Sequence, residues 1–262
     1  MLPLDAYQLS EKEYVTVQRA AWRLIRDCVQ RFGGEYTVPE GLVTADLPRF
    51  EHANERRYGL FDADSAAARG YNIPPDLQPV GRDKSAGWNP SEAEKLLVRG
   101  VDTSGGSPVA VELPTDRDGK RLPVDGCTGE ANRTLGGGQQ ASVDTSLGNT
   151  LSLDAGKRAE ADSRVRDAMQ QWGDCMARRG YSYSTIWEPN DRKWPEPAGD
   201  EEIATATADV ACKKETNLLG VWFAVESAYQ QRIIDERIQE LTAVQMILQT
   251  RAKNAAGVVS GG

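Results

Sequence analysis

The sequence of 262 residues contains few of the groups that build common active sites. It has a single histidine, His52, so a Ser-His-Asp or Cys-His arrangement would depend on a residue with no nucleophile motif beside it. The glycines of "GGG" at Gly136–Gly138 lack the lysine and the helix pattern of a phosphate-binding loop. We therefore predict no cofactor and no catalytic residue of these kinds, and an enzyme is the less favoured class.

Metal ligands are also scarce. The four cysteines are widely spaced without a Cys-x-x-Cys pair, and only His52 could assist them, which argues against zinc. Asp116 and Asp118 are spaced as at the start of a calcium loop, but Lys120 occupies the next ligand position and no Glu follows at the required distance. We predict no metal site.

The chain lacks both a long hydrophobic run and an excess of basic charge. No apolar stretch approaches the roughly 18 residues of a membrane span, and the net charge of −8 argues against nucleic acid as a partner. The start "MLPLDAYQLS" has neither the basic nor the apolar region of a signal peptide. We interpret Met1 as the point where an export signal has been removed, and a lipid anchor lost with that signal would be the one route to a membrane.

What the sequence does contain is a two-part motif that occurs twice. The first part, Cys-x-x-Arg-x-Gly-x-x-Tyr, spans positions 28–36 and again 175–183. The second part, Cys-x-x-Glu-x-Asn, spans positions 127–132 and again 212–217. The motif uses all four cysteines, and its parts recur in the same order.

Two matched pairs in one order favour an internal duplication, with half-repeats at 1–137 and 138–262. The alternative is one intertwined domain. If each half closes on itself, one of the three pairings that four cysteines allow is selected. The predicted disulfides are Cys28 with Cys127 and Cys175 with Cys212. Such bonds persist in an oxidising compartment, whereas four buried free thiols are the competing interpretation.

Helical spacing of apolar residues predicts a mainly α fold. Ser10 and Glu13 form a capping box ahead of an apolar stripe that ends at Gly33-Gly34, and a second helix covers about 155–179. The stretch "VAVELPTDRDGKRLPV" alternates weakly on both sides of Asp118-Gly119, which predicts a small β-hairpin. Each half would thus hold one helix fixed by its disulfide.

The end of the chain predicts one long helix. No Gly or Pro lies between Val221 and Ala256, and about 36 helical residues would extend roughly 54 Å. Part of such a helix would project and bind a protein partner or a second copy of the chain. The alternative is that it folds back across both halves. The candidate partner-binding residues on its apolar stripe are Trp222, Tyr229, Ile233, Leu241 and Leu248.

An aromatic loop, "GYSYSTIWEPNDRKWPEPAGD", follows the second helix and contains three prolines. Rigid aromatic rings on such a loop could stack on sugar rings or on a peptide, because flat faces supply contact area with little entropy to lose. The alternative is that they cover the second disulfide and its core. The candidate ligand-binding residues are Tyr181, Tyr183, Trp187 and Trp194.

One pair of carboxylates leaves catalysis open. Glu130 and Glu215 stand at equivalent positions of the repeated motif, and together in one cleft they could serve the acid and base steps of a hydrolase. A Glu placed three residues after a Cys on a helix more often forms a structural hydrogen bond or ion pair. The sequence alone does not choose between these roles.

Five stretches form a pattern across most of the chain: "PLDAY", "ERRYGL" at Glu55–Leu60, "GCTGEA" at Gly126–Ala131, "RVRDAMQQWGDCM" at Arg164–Met176 and "ADVACK" at Ala208–Lys213. This pattern resembles a family of exported actinobacterial proteins, many of them lipoprotein-like, with no established activity. The resemblance implies export. We expect an extracytoplasmic, non-enzymatic binding or adaptor protein of the cell envelope, with a cell-envelope hydrolase and a sugar- or peptide-sequestering protein as alternatives.

Overall fold

The structure, a computed structural model, describes residues 1–36, 54, 56–73, 90–101, 112–138 and 143–261. Within these ranges the chain is mainly helical, as predicted, and His52 lies outside them. The described residues form one 3-10 helix and ten α-helices, and no β-strand. The helices are η1 (Pro3–Tyr7), α1 (Glu11–Arg31), α2 (Ala63–Arg69), α3 (Glu92–Arg99), α4 (Gly126–Leu135), α5 (Leu147–Glu160), α6 (Ser163–Arg178), α7 (Trp187–Asp191), α8 (Asp200–Glu215), α9 (Leu218–Glu236) and α10 (Ile238–Ser260).

Spatial contacts group the chain into two units, each assembled from three stretches that are separate in sequence. The Cys175 unit contains Met1–Ala6, Pro48–Gln78 and Ser146–Leu241, and the Cys28 unit contains Tyr7–Leu47, Pro79–Thr145 and Thr242–Gly262. Of the described helices, α2 and α5 to α9 belong to the Cys175 unit, whereas α1, α3, α4 and most of α10 belong to the Cys28 unit. Each unit contains one disulfide.

Local sequence signals begin and end the first helix as predicted. The Ser10 hydroxyl accepts the amide of Glu13 at 3.3 Å, and the Glu13 carboxylate accepts the amide of Ser10 at 2.9 Å. Hydrogen bonding from Ser10 lowers the pKa of Glu13. Helix α1 ends before Gly33, whose φ of +78° is easily adopted only by glycine, and Gly180 with a φ of +90° follows α6 in the same way.

In the Cys28 unit a disulfide joins the last turns of α1 to the first turn of α4. Cys28 and Cys127 are bonded as predicted, with Cα atoms 5.6 Å apart, and Leu97 packs in the same core. Arg31, one turn after Cys28, donates to both carboxylate oxygens of Glu130 at 2.9 Å. A covalent bond and an ion pair therefore hold the same two helices together.

The Cys175 unit contains the same arrangement. Cys175 on α6 is bonded to Cys212 on α8, with Cα atoms 5.7 Å apart. Arg178 donates to Glu215 at 2.8 Å, and Arg179 donates to the other carboxylate oxygen at 3.1 Å. The two-part motif thus encodes a helix pair with a disulfide and, one turn further along each helix, an Arg–Glu pair.

The prediction of two half-repeats is not supported beyond this motif. In the described parts of the chain, α1 and α4 of the Cys28 unit pack with α3, whereas α6 and α8 of the Cys175 unit pack with α9, and α8 also packs with α2. The surrounding helices differ in length and order. A disulfide and an ion pair fix only the two helices that carry them, so the motif can recur without its surroundings.

Among the described residues the predicted β-hairpin around Asp118-Gly119 is also not formed, and positions 109–111 of the predicted first arm lie outside those residues. The described residues there make a turn with one isolated antiparallel bridge, between Thr115 and Arg121. Pro114 and Pro123 flank this bridge on either side, and a proline has no N–H to extend a ladder of hydrogen bonds. The weak alternation of apolar and polar residues in this stretch therefore accompanies a single turn and not a pair of strands.

The predicted single C-terminal helix is wrong, because the chain forms α9 and α10 with a break at Arg237. The backbone there has φ −124° and ψ 26°, and the Arg237 amide bonds to the carbonyls of both Ile233 and Ile234, at 3.0 and 3.2 Å. No Gly or Pro marks the break in the sequence. Four of the proposed partner-binding residues are at most 7% exposed and Tyr229 is half-buried; the four are Trp222, Ile233, Leu241 and Leu248.

A buried carboxylate, Glu226 on α9, binds the segment that precedes α2. Arg57 donates to one oxygen of this wholly buried group through Nε at 2.8 Å and also through Nη2. The Tyr58 hydroxyl donates to the other oxygen at 2.8 Å, and the Gln230 amide donates at 2.9 Å. Arg57 also donates to the carbonyl of Ser152 on α5 at 2.9 Å. Besides each other, the two ions have hydrogen-bonding partners in Tyr58, Gln230 and Ser152, which offset the cost of burying charge.

A second buried carboxylate, Asp209 on α8, lies among three donors. One oxygen accepts the Trp172 indole N–H at 2.9 Å, and the other accepts the Tyr71 hydroxyl at 3.2 Å and the Lys213 ammonium at 3.0 Å. Lys213 also donates to the carbonyl of Leu60 at 2.8 Å. Burial raises the pKa of Asp209 and lowers the pKa of Lys213. The segment between Arg57 and Tyr71 is therefore tied to α9 at one end and to α8 at the other.

The two disulfides should differ in their contribution to stability. Replacing Cys28 and Cys127 by Ser should lower the free energy of unfolding by about 4.7 kcal/mol, and replacing Cys175 and Cys212 by about 3.8 kcal/mol, because the bond with the longer loop constrains the unfolded chain more. Their sequence separations are 99 and 37 residues. Guanidinium unfolding followed by tryptophan fluorescence measures both values. A larger loss for the shorter loop would show that native contacts of α6 and α8, rather than loop length, set the difference.

Breaking the Arg57–Glu226 pair should be far more costly than breaking an exposed pair. Arg57→Ala leaves a wholly buried carboxylate without its cation and should destabilise the chain by about 3–5 kcal/mol. The matched control in the same unit is Arg158→Ala, whose partner Asp154 and own side chain are both exposed, with an expected loss below about 0.5 kcal/mol. Adding Glu226→Gln to Arg57→Ala should recover part of the loss. Equal effects of the two Ala variants in denaturant titration would contradict this account.

Candidate functional site

An open groove in the Cys175 unit lies between helix α6 and the loop that follows it. Its volume is about 470 Å³. It contains two of the predicted ligand-binding residues, Tyr181 and Tyr183, but not Trp187 or Trp194. The residues that line the groove are Arg166, Met169, Gln170, Gly173, Asp174 and Ala177 of α6 and Tyr181, Ser182, Tyr183, Ser184 and Thr185 of the loop.

Helix α6 supplies one wall of the groove through its solvent-facing side. Arg166, Gln170 and Asp174 follow one another at intervals of four residues, and residues at this interval are neighbours on a helix surface. The apolar residues of the opposite face, including Trp172, are buried in the core of the unit. Gly173 allows the loop to approach closely, since a Cβ there would lie 3.2 Å from the Tyr183 carbonyl oxygen.

The loop that forms the other wall is held in place at both ends. At its start the Tyr181 amide donates to the carbonyl of Met176 at 3.0 Å, which closes the end of α6. At its end the Glu188 carboxylate accepts the amides of Ser184 at 3.2 Å and Thr185 at 3.1 Å. The groove is therefore bounded by a helix and a loop with fixed backbone.

Aromatic rings and one arginine form a continuous row along this loop. Tyr181 and Tyr183 are stacked, with ring centroids 6.5 Å apart and planes 11° apart. A hydrogen bond from Arg192 to Tyr183 is the main reason that the pKa of Arg192 lies above its usual value. The Arg192 guanidinium lies 4.1 Å from the centre of the Trp194 ring, and Trp194 stacks on Tyr71 at 6.0 Å. The row ends on the Tyr71 ring, whose hydroxyl is bound to Asp209.

Trp187 has a different environment from the other predicted ligand-binding residues. Its indole donates to Glu160 at 2.8 Å, and its ring lies edge-on to Trp222 at 6.2 Å. It packs against the core that contains the disulfide of this unit, as do Tyr181 and Tyr183. Trp187 therefore covers the core, as the alternative interpretation of the loop predicted. Tyr181 and Tyr183 cover the core and also line the groove.

The polar side chains of α6 in the groove have no partner among the described residues. Neighbouring charged residues outside the groove do: Arg164 pairs with Asp162 at 2.9 Å, and Arg178 pairs with Glu215. In contrast, the hydrogen bonds and ion pairs of the described chain include none from the side chains of the groove residues Arg166, Gln170 and Asp174. The groove therefore presents a free donor, a free amide and a free acceptor in order along one helix.

The predicted carboxylate pair does not have the properties of a catalytic acid. Glu130 is bound by Arg31 and approached by Lys120 at 3.6 Å within the Cys28 unit. Glu215 is exposed, and hydrogen bonds from Arg179 and Arg178 lower its pKa below the ordinary value. A general acid requires the opposite shift, toward protonation near neutral pH. Both carboxylates have the structural role that the sequence offered as the alternative.

Sequence reasoning missed Arg192, Tyr71 and the polar row of α6. The row had a visible signal, because its three residues recur every fourth position between apolar ones. Tyr71 had none, since it lies more than one hundred positions from Trp194 and meets it only through the fold. Among the described residues no helix has the length and apolar character needed to cross a bilayer, and no three His, Cys, Asp or Glu side chains group as a metal site would require.

Comparison of the chain with known protein families, with curated proteins and with solved structures finds no match. The resemblance to exported actinobacterial proteins therefore stays a prediction, and the function must be argued from the geometry of the groove.

The ionisation of Glu215 is directly measurable. We expect its side-chain carboxyl to titrate below the ordinary value of 4.5 in a ¹³C NMR experiment, because two guanidinium groups stabilise the charged form. Arg179→Ala should raise the midpoint toward 4.5, whereas Arg166→Ala, on the same unit but without contact to Glu215, should leave it unchanged. A midpoint above 4.5 in the unaltered chain would restore Glu215 as a candidate general acid.

Proposed function

We propose that the chain is an exported, non-enzymatic binding protein of the cell envelope that holds its ligand in the groove between α6 and the aromatic loop. The observation that carries this proposal is the unpaired row of Arg166, Gln170 and Asp174 opposite two stacked tyrosines. Free hydrogen-bonding groups beside aromatic surface are typical of a binding site, where a few polar groups orient a ligand and flat rings supply contact area.

Export is supported by the two disulfides. All four cysteines are at most 2% exposed and bonded in pairs, which indicates an oxidising environment. Secretion and attachment to the cell surface both satisfy this condition. The acidic net charge of −8 is compatible with either.

The groove is a better binding surface than the C-terminal helices. Most of the apolar residues that the sequence predicted as partner-binding are buried in the protein interior. A buried residue contributes nothing to a docking surface. On the described part of α9 and α10 the large apolar residues that remain exposed are Phe223, Ile238 and Met246. They are single residues on helices that otherwise carry polar groups outward, which is ordinary for a protein surface.

No geometric observation favours the cell-envelope hydrolase. Its two candidate carboxylates are each occupied by arginine, and neither lines the groove. The binding proposal is supported instead by the free polar groups that line the groove.

The proposal is tested by binding of the oxidised full chain to an insoluble envelope fraction from its host. Asp174→Ala and Tyr181→Ala should each weaken binding about tenfold, the effect of losing one hydrogen bond to a charged group or one aromatic contact. The matched control is Asp167→Ala, which removes the same charge from the same helix at an exposed position outside the groove. Sedimentation of the fraction with labelled protein gives the dissociation constants.

Two results would count against the proposed function. Failure of the unaltered chain to bind the envelope fraction would exclude a binding role there. Equal weakening by Asp174→Ala and Asp167→Ala would show that net charge, rather than the groove, governs association. Unchanged thermal melting of all three variants confirms that binding is compared between folded proteins.

A further inference from the structure

We propose that the ligand of the groove is a neutral, extended oligosaccharide with two or three sugar rings in contact with the protein. This inference rests on the proposed function and names the chemical class of its ligand. It comes from the order of the free groups along α6, from the charge of the groove and from the absence of the features that peptide recognition needs.

The order of the groups on α6 calls for a ligand that both donates and accepts hydrogen bonds along its length. Arg166 can only donate, Asp174 as a carboxylate can only accept, and Gln170 between them does both. Sugar hydroxyls act as donor and acceptor at every ring. Four residues, about 6 Å along the helix axis, separate each group from the next, and this interval resembles the length of one sugar unit in an extended chain.

The charge of the groove favours a neutral chain. Arg166 and Asp174 have opposite charges and are the only ionisable side chains of α6 among the lining residues. An anionic polymer would be attracted at one end of the row and repelled at the other, and a cationic peptide would meet the reverse. A neutral ligand can use both groups as charge-assisted hydrogen-bonding partners.

The loop completes a surface suited to sugar rings. Tyr181 and Tyr183 supply aromatic area that is already stacked and half-buried, so little entropy is lost when a ring packs on it. Ser182 and Ser184 add hydroxyls beside the rings. The apolar side chains of α6 in the groove are limited to Met169 and Ala177. The many polar groups of a sugar would therefore stay accessible to water or to the polar side chains of α6.

A peptide is disfavoured by what the described fold presents. Recognition of an extended peptide by strand addition needs a sheet edge, and the described residues contain no strand. Recognition of an amphipathic helix needs a continuous apolar groove, whereas every fourth residue of this wall is polar. The saccharide is the class that uses all the free groups together.

The test is titration of the oxidised full chain with neutral oligosaccharides of one to four units, in a β-linked glucose series and a β-linked N-acetylglucosamine series. We expect the dissociation constant in one of the two series to fall with each added unit up to three and then to level off. Asp174→Asn should weaken binding of the three-unit ligand about tenfold, and the matched Asp167→Asn should leave it unchanged. Isothermal calorimetry measures each value.

The inference is overturned if neither series binds, if affinity does not depend on chain length, or if an acidic polysaccharide or a peptide library binds more tightly than both. The proposed function is judged separately by the envelope fraction. If that fraction binds in a manner that depends on Asp174 while neither series does, the saccharide assignment fails and the binding role stands. If the fraction does not bind either, both fail.

Discussion

The arrangement around the groove depends on the buried carboxylate of Asp209. Its three donors come from separate parts of the chain: Trp172 from α6, Lys213 from α8 and Tyr71 from the segment after α2. Helix α6 carries the polar wall of the groove on its other face, and Tyr71 supports Trp194. Burial raises the pKa of this carboxyl, and the three donors, above all the Lys213 ammonium, oppose that shift. One buried carboxylate therefore links α6, which forms a wall of the groove, to the Tyr71 ring on which Trp194 stacks.

The sequence predicted the local features of this fold and missed the distant ones. The capping box at Ser10 and the glycine that ends α1 depend on neighbouring residues, and the repeated motif was enough to pair the cysteines. The break at Arg237 could not be predicted, because no Gly or Pro lies near it in the sequence. In the structure, the hydrogen bonds of the Arg237 amide mark its position. Of the site, the tyrosines were predicted from composition, whereas Tyr71 reaches Trp194 only through tertiary packing.

The repeated motif shows how a disulfide can be reinforced without a larger core. In both units an arginine one turn after the first cysteine meets a glutamate one turn after the second. The disulfide fixes the distance between two helices at one level, and the ion pair resists their rotation about that bond. Only 39% of the residues are hydrophobic. A disulfide and an ion pair on the same two helices therefore supply stability that larger proteins obtain by burying more apolar surface.

The interleaving of the two units along the chain governs when each can form. The Cys175 unit requires residues from Met1–Ala6 and from Ser146–Leu241, and the Cys28 unit is completed only by Thr242–Gly262. The Cys175 unit can therefore form only after Leu241 has been synthesised, and the Cys28 unit only later still, and contacts between residues so far apart form slowly. Because the cysteine pairs are joined across 99 and 37 residues, neither disulfide can form until the fold has brought its two helices together.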